Sequence, residues 1–141
     1  DLQLVVAGQN VAGLASDDVV TMTGFVSDDQ VSALLQRARC LIQPSRFESF
    51  SLVLCEAWAS ETPTLVTAGS DVLVGHTQRS RGGLVYHDAD SFDDALLTLA
   101  NDPERSQRFG LSGRRYVQAL FSPDIVTSRI ENVLRTAVAG K

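Results

Sequence analysis

The chain has 141 residues, of which 44% are hydrophobic and 21% charged, and its formal net charge is -5 at pH 7. These values are typical of one globular domain with its own core, and the acidic balance argues against nucleic acid or an anionic membrane as the main partner, because both require a basic surface. No apolar run approaches the ~20 residues that a membrane-spanning helix needs.

Short strand-like and helix-like segments alternate along the chain. The predicted strands are, in chain order, 2–7, 19–23, 40–43, 63–67 and 83–86. Residues that favour the N-cap position predict helix starts at Ser27, Ser51, Ser91, Asp102 and Ser122. The segment 68–83 is rich in glycine and is predicted to be irregular.

Local pairs of residues support several of these helix starts. Ser27 stands three residues before Gln30, and Ser91 three before Asp94, as in a capping box. Asp102 and Ser122 are each followed by proline, which favours the first position of a helix. The last helix is predicted to carry one apolar side, formed by Ile125, Val126, Ile130, Val133, Leu134 and Ala137.

Strands that alternate with helices indicate a parallel sheet with helices on both faces. Crossovers of this kind are almost always right-handed, so the sequence predicts an α/β fold, a Rossmann-like three-layer sandwich. In that architecture ligands bind beyond the carboxyl ends of the strands. We therefore expect the chemistry in the loops that follow residues 7, 23, 43, 67 and 86.

The loop after the third strand leads directly into the helix predicted to start near Ser51. A helix N-terminus offers unpaired N–H groups and about half a positive charge, which together favour a phosphate. Glu48 precedes this start, and Glu56 lies roughly 7 to 8 Å further along the helix axis. Two carboxylates that flank a phosphate site could hold the hydroxyls of a sugar diphosphate. On the charge pattern alone, a solvated loop acid and an exposed helix acid are the stronger expectation.

The stretch from Glu48 to Pro63, ESFSLVLCEAWASETP, resembles the Glu-x7-Glu signature of retaining glycosyltransferases of the GT-B fold, family 4 in particular. The common form of that signature is E-G-F-G-L-x-x-x-E-A-x-A-x-G-x-P-V-V. Residues 23–26 and 40–45 resemble the segment before it, residues 82–86 resemble a G-x-L-V strand, and the tail resembles the last three helices. The resemblance covers nearly the whole chain and implies one half of a GT-B fold, the C-terminal domain that binds the donor.

The resemblance implies a role for each matching position. Glu48 would be the acid of the catalytic site and would hold hydroxyls of the donor sugar, while Glu56 would hold those of the ribose. The N–H groups at the helix start would hold the diphosphate, and residues 24–26 would lie by the base. The positions implied in donor binding are Gly24, Phe25, Val26, Ser49, Phe50, Ser51, Leu52 and Glu56. The donor would be a UDP- or GDP-linked sugar that enters as substrate, with no cofactor and no metal.

Three positions depart from the family's pattern. Ser49, Ser51 and Glu61 stand where the signature has glycine. A serine hydroxyl could add a contact to phosphate or sugar, and the identity of the donor stays open. The resemblance also places the basic residues that grip the diphosphate, and an N-terminal domain that binds the acceptor, ahead of residue 1. We therefore expect residues 1–141 alone to transfer no sugar.

Structural roles are expected for three residues near the signature. Arg46 could approach a phosphate, although a solvated or Glu-paired arginine is the stronger expectation. Asp71 could meet a donor hydroxyl from the loop in which it is predicted to lie. Trp58 is expected to be a core or domain-contact residue rather than a stacking platform.

The histidines and cysteines show no catalytic or metal-binding spacing. His76 and His87 lack acid or cysteine partners and are expected to be polar loop residues. Cys40 and Cys55 lie in apolar segments and are expected to be buried free thiols of a reducing compartment.

Three functions remain open at this point. The favoured one is a donor-binding domain of an enzyme that transfers a hexose-type sugar from a nucleotide diphosphate sugar to an acceptor hydroxyl with retention. The others are an inactive nucleotide-sugar-binding scaffold module, favoured only by the serine replacements, and a GT-B epimerase that needs no acceptor. The expected partners are the nucleotide sugar and the protein's own N-terminal domain. The expected location is cytoplasmic, with peripheral attachment of the full-length protein to a membrane left open.

Overall fold

A computed structural model describes residues 2–9, 13 and 15–139, and the chain divides into two compact units, 1–34 and 35–141. The strands are β1 (Leu4–Ala7), β2 (Val20–Gly24), β3 (Leu41–Gln43), β4 (Thr64–Thr67) and β5 (Gly83–Tyr86). The helices are α1 (Asp28–Arg37), α2 (Leu52–Ala59), α3 (Asp71–Ser80), α4 (Ala89–Asn101), α5 (Pro103–Phe121) and α6 (Pro123–Ala139). Within the described ranges, no helix is long and apolar enough to cross a membrane.

The first unit contains a parallel pair of strands, β1 and β2. The register shifts after Val6, and β2 ends at Gly24, which has a φ of 70°. The predicted capping box is confirmed at the start of α1, where the N–H of Ser27 donates to Oε1 of Gln30 at 2.9 Å. Part of the expected ligand loop after β1, residues 10–12 and 14, lies outside the described residues.

The second unit contains a parallel sheet with the strand order β3-β4-β5. The central strand, β4, is buried along its whole length. Leu65 and Val66 are neighbours in that strand, so their side chains point to opposite faces of the sheet. Val66 packs against α2 and α3, whereas Leu65 packs against Ala95 and Leu99 of α4. Helices therefore cover both faces, and the predicted three-layer α/β arrangement is confirmed.

Helix α5 approaches α2 closely because two of its residues are glycines. A Cβ atom added at Gly113 would lie 2.9 Å from Cβ of Trp58, and one added at Gly110 would meet the main chain of Glu61. Trp58 is fully buried, and its indole N–H donates to the carbonyl of Gly82 at 3.0 Å. The prediction that Trp58 is a core residue is confirmed.

The prediction of an irregular segment at 68–83 is wrong, because ten of its residues form α3. Ser70 caps this helix, with Oγ accepting from the N–H of Leu73 at 3.4 Å. The buried face of α3 includes the polar residues His76, Thr77 and Ser80 beside Leu73. This composition hid the helical periodicity, which depends on apolar residues.

The predicted start of α4 is also wrong. Asp88 is the N-cap and Ser91 is the third helical residue, so the capping box runs Asp-to-Ser and begins three residues earlier than expected. The start of α5 after Asp102 is confirmed, as is the start of α6 at Pro123. The apolar side of α6 is exposed in this structure, with Val133 exposed by 68%.

Candidate functional site

The candidate site lies at the carboxyl end of β3, where the chain passes through residues 44–51 into α2. Gln43 is the last residue of β3, and its Nε2 donates to Oε1 of Glu48 at 3.0 Å. This hydrogen bond holds the half-buried carboxylate of Glu48 at the edge of the sheet. Gln43 was not predicted as a site residue. A polar side chain that ends a buried strand directly before Pro44 was the available signal.

The loop itself is turned by a short local contact. Oγ of Ser45 donates to the carbonyl of Phe47 at 3.1 Å. Phe47 is 94% exposed, whereas its neighbour Glu48 is half-buried. The turn therefore points the aromatic ring outward and the carboxylate toward the strand.

Ser51 occupies the N-cap position of α2, but it does not cap the helix with its side chain. Its φ of 68° and ψ of 79° place it in the left-handed region, and its side chain makes no capping hydrogen bond. The residue is buried, and no group in the described part of the chain bonds to its Oγ. The expectation that Ser51 caps α2 is therefore wrong, because this backbone conformation turns Oγ away from the N–H groups of the first turn.

The N–H groups at the N-terminus of α2, called here the head of α2, remain available to a ligand. The first backbone bond of the helix runs from the N–H of Leu54 to the carbonyl of Ser51 at 3.2 Å. The N–H groups of Leu52 and Val53 precede that bond and have no partner within the helix. Leu52 is 71% exposed, so this end of α2 is open to solvent. An anion can approach it and meet the positive end of the helix dipole.

The other predicted donor residues of the second unit have distinct surroundings. Phe50 is half-buried, and its ring contacts His76 and Phe121 at centroid distances of 5.1 Å. Ser49 is exposed, and so is Glu56 in the middle of α2. Glu48 thus lies on the loop before α2, and Glu56 lies on α2 itself.

The residues predicted to lie by the base belong to the first unit. Gly24 ends β2, and its carbonyl accepts from the N–H of Gly8 at 2.8 Å. Phe25 is 84% exposed, and Val26 follows it directly before the capping box of α1. These residues therefore stand at the carboxyl end of a parallel strand, as predicted for a ligand edge.

The loop after β4 meets the loop after β3. The position where Gly69 would carry a Cβ atom lies 3.2 Å from Cγ of Arg46, and the N–H of Gly69 donates to Oγ1 of Thr67 at 3.1 Å. Arg46 is exposed, and its aliphatic stem crosses the glycine. Asp71 is exposed at the first position of α3, not in an irregular loop as expected. The guanidinium of Arg46 thus stands on the loop after β3, and the carboxylate of Asp71 stands at the start of α3, directly after the loop that follows β4.

The histidines and cysteines have structural surroundings. The expectation that His76 is a loop residue is wrong, since it is buried within α3 with Nδ1 3.0 Å from the hydroxyl of Tyr116. Burial, followed by the charge of Arg79, lowers the pKa of His76 below its usual 6.5. Cys40 and Cys55 are free, as predicted, and half-buried rather than fully buried. Burial raises the pKa of Cys40 to about 11, which makes a thiolate unfavourable at neutral pH.

Comparison with known proteins identifies the family. Residues 1–116 match the family described as Glycosyl transferases group 1. The chain is 30% identical over 131 residues to MMP alpha-(1->4)-mannosyltransferase of Mycolicibacterium hassiacum, and the match covers 92% of this chain and 32% of that protein. It is 31% identical over 132 residues to D-inositol 3-phosphate glycosyltransferase of Streptomyces coelicolor, and the match covers 88% of this chain and 29% of that protein.

A solved structure shows the same fold. Sucrose-phosphate synthase from Thermosynechococcus elongatus matches with a TM-score of 0.85 and 24% identity, over 99% of this chain and 39% of that chain. The chain thus spans about a third of the length of these relatives. It has a Rossmann-like α/β fold of the GT-B type, and it belongs to the glycosyl transferases group 1 family.

Proposed function

We propose that this chain is the donor-binding, C-terminal domain of a retaining glycosyltransferase that transfers a hexose-type sugar from a UDP- or GDP-linked donor to an acceptor hydroxyl. The observation that carries the proposal is the carboxylate of Glu48, which Gln43 holds at the carboxyl end of β3 beside the open head of α2. A fixed acid beside an anion-binding helix end is suited to a sugar joined to a diphosphate. The names of the two sequence relatives, both sugar transferases, support the same chemistry.

In this proposal each group has a separate task. Glu48 accepts hydrogen bonds from hydroxyls of the donor sugar and orients its anomeric carbon. The N–H groups of Leu52 and Val53 bind the diphosphate and stabilise the charge that builds up as the nucleoside diphosphate leaves. Glu56 accepts hydrogen bonds from the ribose, and residues 24–26 lie by the base. Helix dipole and basic side chains supply the positive charge, so we propose that the reaction needs no metal and no cofactor.

The ribose role of Glu56 can be tested by nucleotide titration of the full-length protein. A hydrogen bond to a charged group contributes about 1.5–3 kcal/mol, so Glu56→Ala should weaken binding of UDP or GDP by roughly 10- to 100-fold. Glu104→Ala is the matched control, because Glu104 is also an exposed helical glutamate, and its carboxylate lies 3.8 Å from Arg108 on α5. Equal affinity in wild type and Glu56→Ala, measured by calorimetry, would refute this role.

The role of Glu48 requires a transfer or donor-hydrolysis assay. Glu48→Gln keeps the size of the side chain and its bond to Gln43 but removes the charge. We expect the variant to fold normally and to lose most of its turnover. Unchanged turnover in Glu48→Gln would remove Glu48 from the catalytic site.

The alternatives predict different outcomes in the same assays. An inactive scaffold module would bind the nucleotide sugar and neither hydrolyse nor transfer it. An epimerase would convert the nucleotide sugar without any acceptor. We further propose that residues 1–141 act together with an N-terminal domain of the full-length protein, transfer no sugar by themselves, and work in the cytoplasm.

A further inference from the structure

A cluster of aromatic side chains lies behind the candidate donor loop. It consists of Phe50, His76, Tyr116 and Phe121, and is called here the Phe50 cluster. Phe50 makes edge-to-face contacts with His76 and with Phe121, with interplanar angles of 87° and 88°. Tyr116 and Phe121 contact each other with centroids 5.6 Å apart. The cluster thus joins the loop between Glu48 and α2 to two other helices, α3 and α5.

Hydrogen bonds fix the orientation of two rings of the cluster, those of His76 and Tyr116. Nε of Arg79 donates to the hydroxyl oxygen of Tyr116 at 3.3 Å. The hydroxyl of Tyr116 can then donate to Nδ1 of His76, 3.0 Å away, when the imidazole is neutral and carries its proton on Nε2. Burial and the charge of Arg79 lower the pKa of His76, which favours this neutral form. The edge that His76 presents to Phe50 is therefore set by α5 as well as by α3.

The loop needs such support because of its backbone. Ser51 directly follows Phe50 and has a φ of 68°, a conformation that an L-residue holds only when its surroundings impose it. Gln43 anchors the Glu48 end of the loop, and the Phe50 cluster anchors the end that enters α2. The ring of Phe50 packs among these aromatic side chains, while the N–H groups that follow it remain at the open head of α2.

We infer that His76, Tyr116 and Phe121 are positioning residues for the nucleotide: through the ring of Phe50 they hold the head of α2 in the conformation that binds the diphosphate. This inference rests on the proposed function, because it assigns the cluster to the same site. None of the three residues belongs to the loop or to the head of α2. They act through Phe50 and are not catalytic residues.

The test uses Phe121→Leu in the full-length protein, with Phe92→Leu as the matched control. Phe92 is also half-buried and makes an edge-to-face contact, with Tyr86, at the same centroid distance of 5.1 Å. Phe92 belongs to α4, which packs on the opposite face of the sheet, away from Phe50. Phe121→Leu removes the contact with Phe50 together with those to His76 and Tyr116. Phe92→Leu also removes an aromatic contact, but not one with the loop.

Two quantities are measured for each protein: the dissociation constants for UDP and GDP, and the hydrogen exchange rates of the amides of residues 51–55. Phe121→Leu should weaken nucleotide binding about three- to tenfold, the effect expected of one aromatic contact, and should speed exchange at those amides. Phe121→Tyr, which keeps the ring edge, should restore both quantities. Phe92→Leu should change neither, although its global stability falls.

The outcomes separate this inference from the proposed function. If the wild-type protein binds neither UDP nor GDP, the proposed function fails, and unchanged exchange in Phe121→Leu would then also refute the hold on the loop. If the wild type binds and Phe121→Leu binds equally well, only the positioning role is refuted. An equal loss of binding in Phe92→Leu would show a general effect of stability and would overturn the inference as well.

Discussion

Replacing Ser51 by glycine is predicted to stabilise the chain. The left-handed backbone of Ser51, with φ 68° and ψ 79°, costs an L-residue about 1–2 kcal/mol, and glycine adopts it freely. The buried hydroxyl has no partner within the described residues, at a cost on the order of 1–3 kcal/mol. The greater freedom of glycine in the unfolded chain reduces this gain in stability by roughly 0.5–1 kcal/mol. The free energy of unfolding should therefore rise by about 2 kcal/mol.

Urea-induced unfolding measures this difference. Trp58 is the single tryptophan and is fully buried, so its fluorescence reports the loss of the core. With a urea dependence of roughly 1–3 kcal/mol per molar, a gain of about 2 kcal/mol raises the unfolding midpoint by about 1 M. Two other variants separate the contributions: Ser51→Ala removes the hydroxyl and keeps the left-handed backbone, and Glu61→Gly relieves a left-handed backbone with a φ of 60° at a residue whose side chain is not a buried hydroxyl.

The three variants are expected to fall in a definite order. Ser51→Gly should be the most stable, and Ser51→Ala should gain only the part due to the hydroxyl. Glu61→Gly should gain less than its backbone term, because it also loses a partly exposed ion pair with Arg114, which contributes about 0–1 kcal/mol. If Ser51→Gly is no more stable than Ser51→Ala, the strain assigned to the backbone is wrong. If Ser51→Ala is less stable than wild type, the hydroxyl has a favourable partner.

Two further predictions concern packing and protonation. Gly113→Ala pushes a methyl group into Trp58 and should lower the free energy of unfolding by about 1–3 kcal/mol, whereas Gly75→Ala, whose methyl meets only the end of the Arg79 side chain, should be neutral or gain up to ~1 kcal/mol. Both are checked by urea unfolding. The pKa of His76 is lowered in the folded state, so as the pH falls the unfolded chain binds a proton at His76 before the folded chain does. The free energy of unfolding should therefore be highest above pH 6.5 and should fall as the pH drops toward the folded-state pKa. His76→Gln should lose this part of the pH dependence, and equal slopes in both proteins between pH 7.5 and 5 would contradict the assignment.

Local sequence signals predicted most of the elements. The bounds of β5 agree with the prediction, and the starts of α1, α5 and α6 follow from capping residues or proline. The failure at α3 has a physical reason. Its buried face contains His76 and other polar residues whose partners come from elsewhere in the fold, so the apolar periodicity that marks a helix is weak.

The candidate site was predictable in part. The spacing of Glu48 and Glu56 around a helix start, and the position of that start after a buried strand, both follow from local sequence. The hydrogen bond from Gln43 to Glu48 could not be predicted in this way, because a side-chain hydrogen bond across a turn depends on the loop conformation. The capping role expected of Ser51 was wrong for the same reason, since the sequence does not reveal a positive φ at a serine.

The sequence alone was enough to establish the α/β class, the parallel direction of the strands and the stretch that carries the candidate donor site. It could do so because capping, periodicity and strand ends are properties of neighbouring residues. Which distant side chains support that stretch depends on how the helices and strands pack. Phe50 meets His76 and Phe121, and Trp58 meets Gly82 and Gly113, because packed helices and strands bring together residues that no local pattern relates.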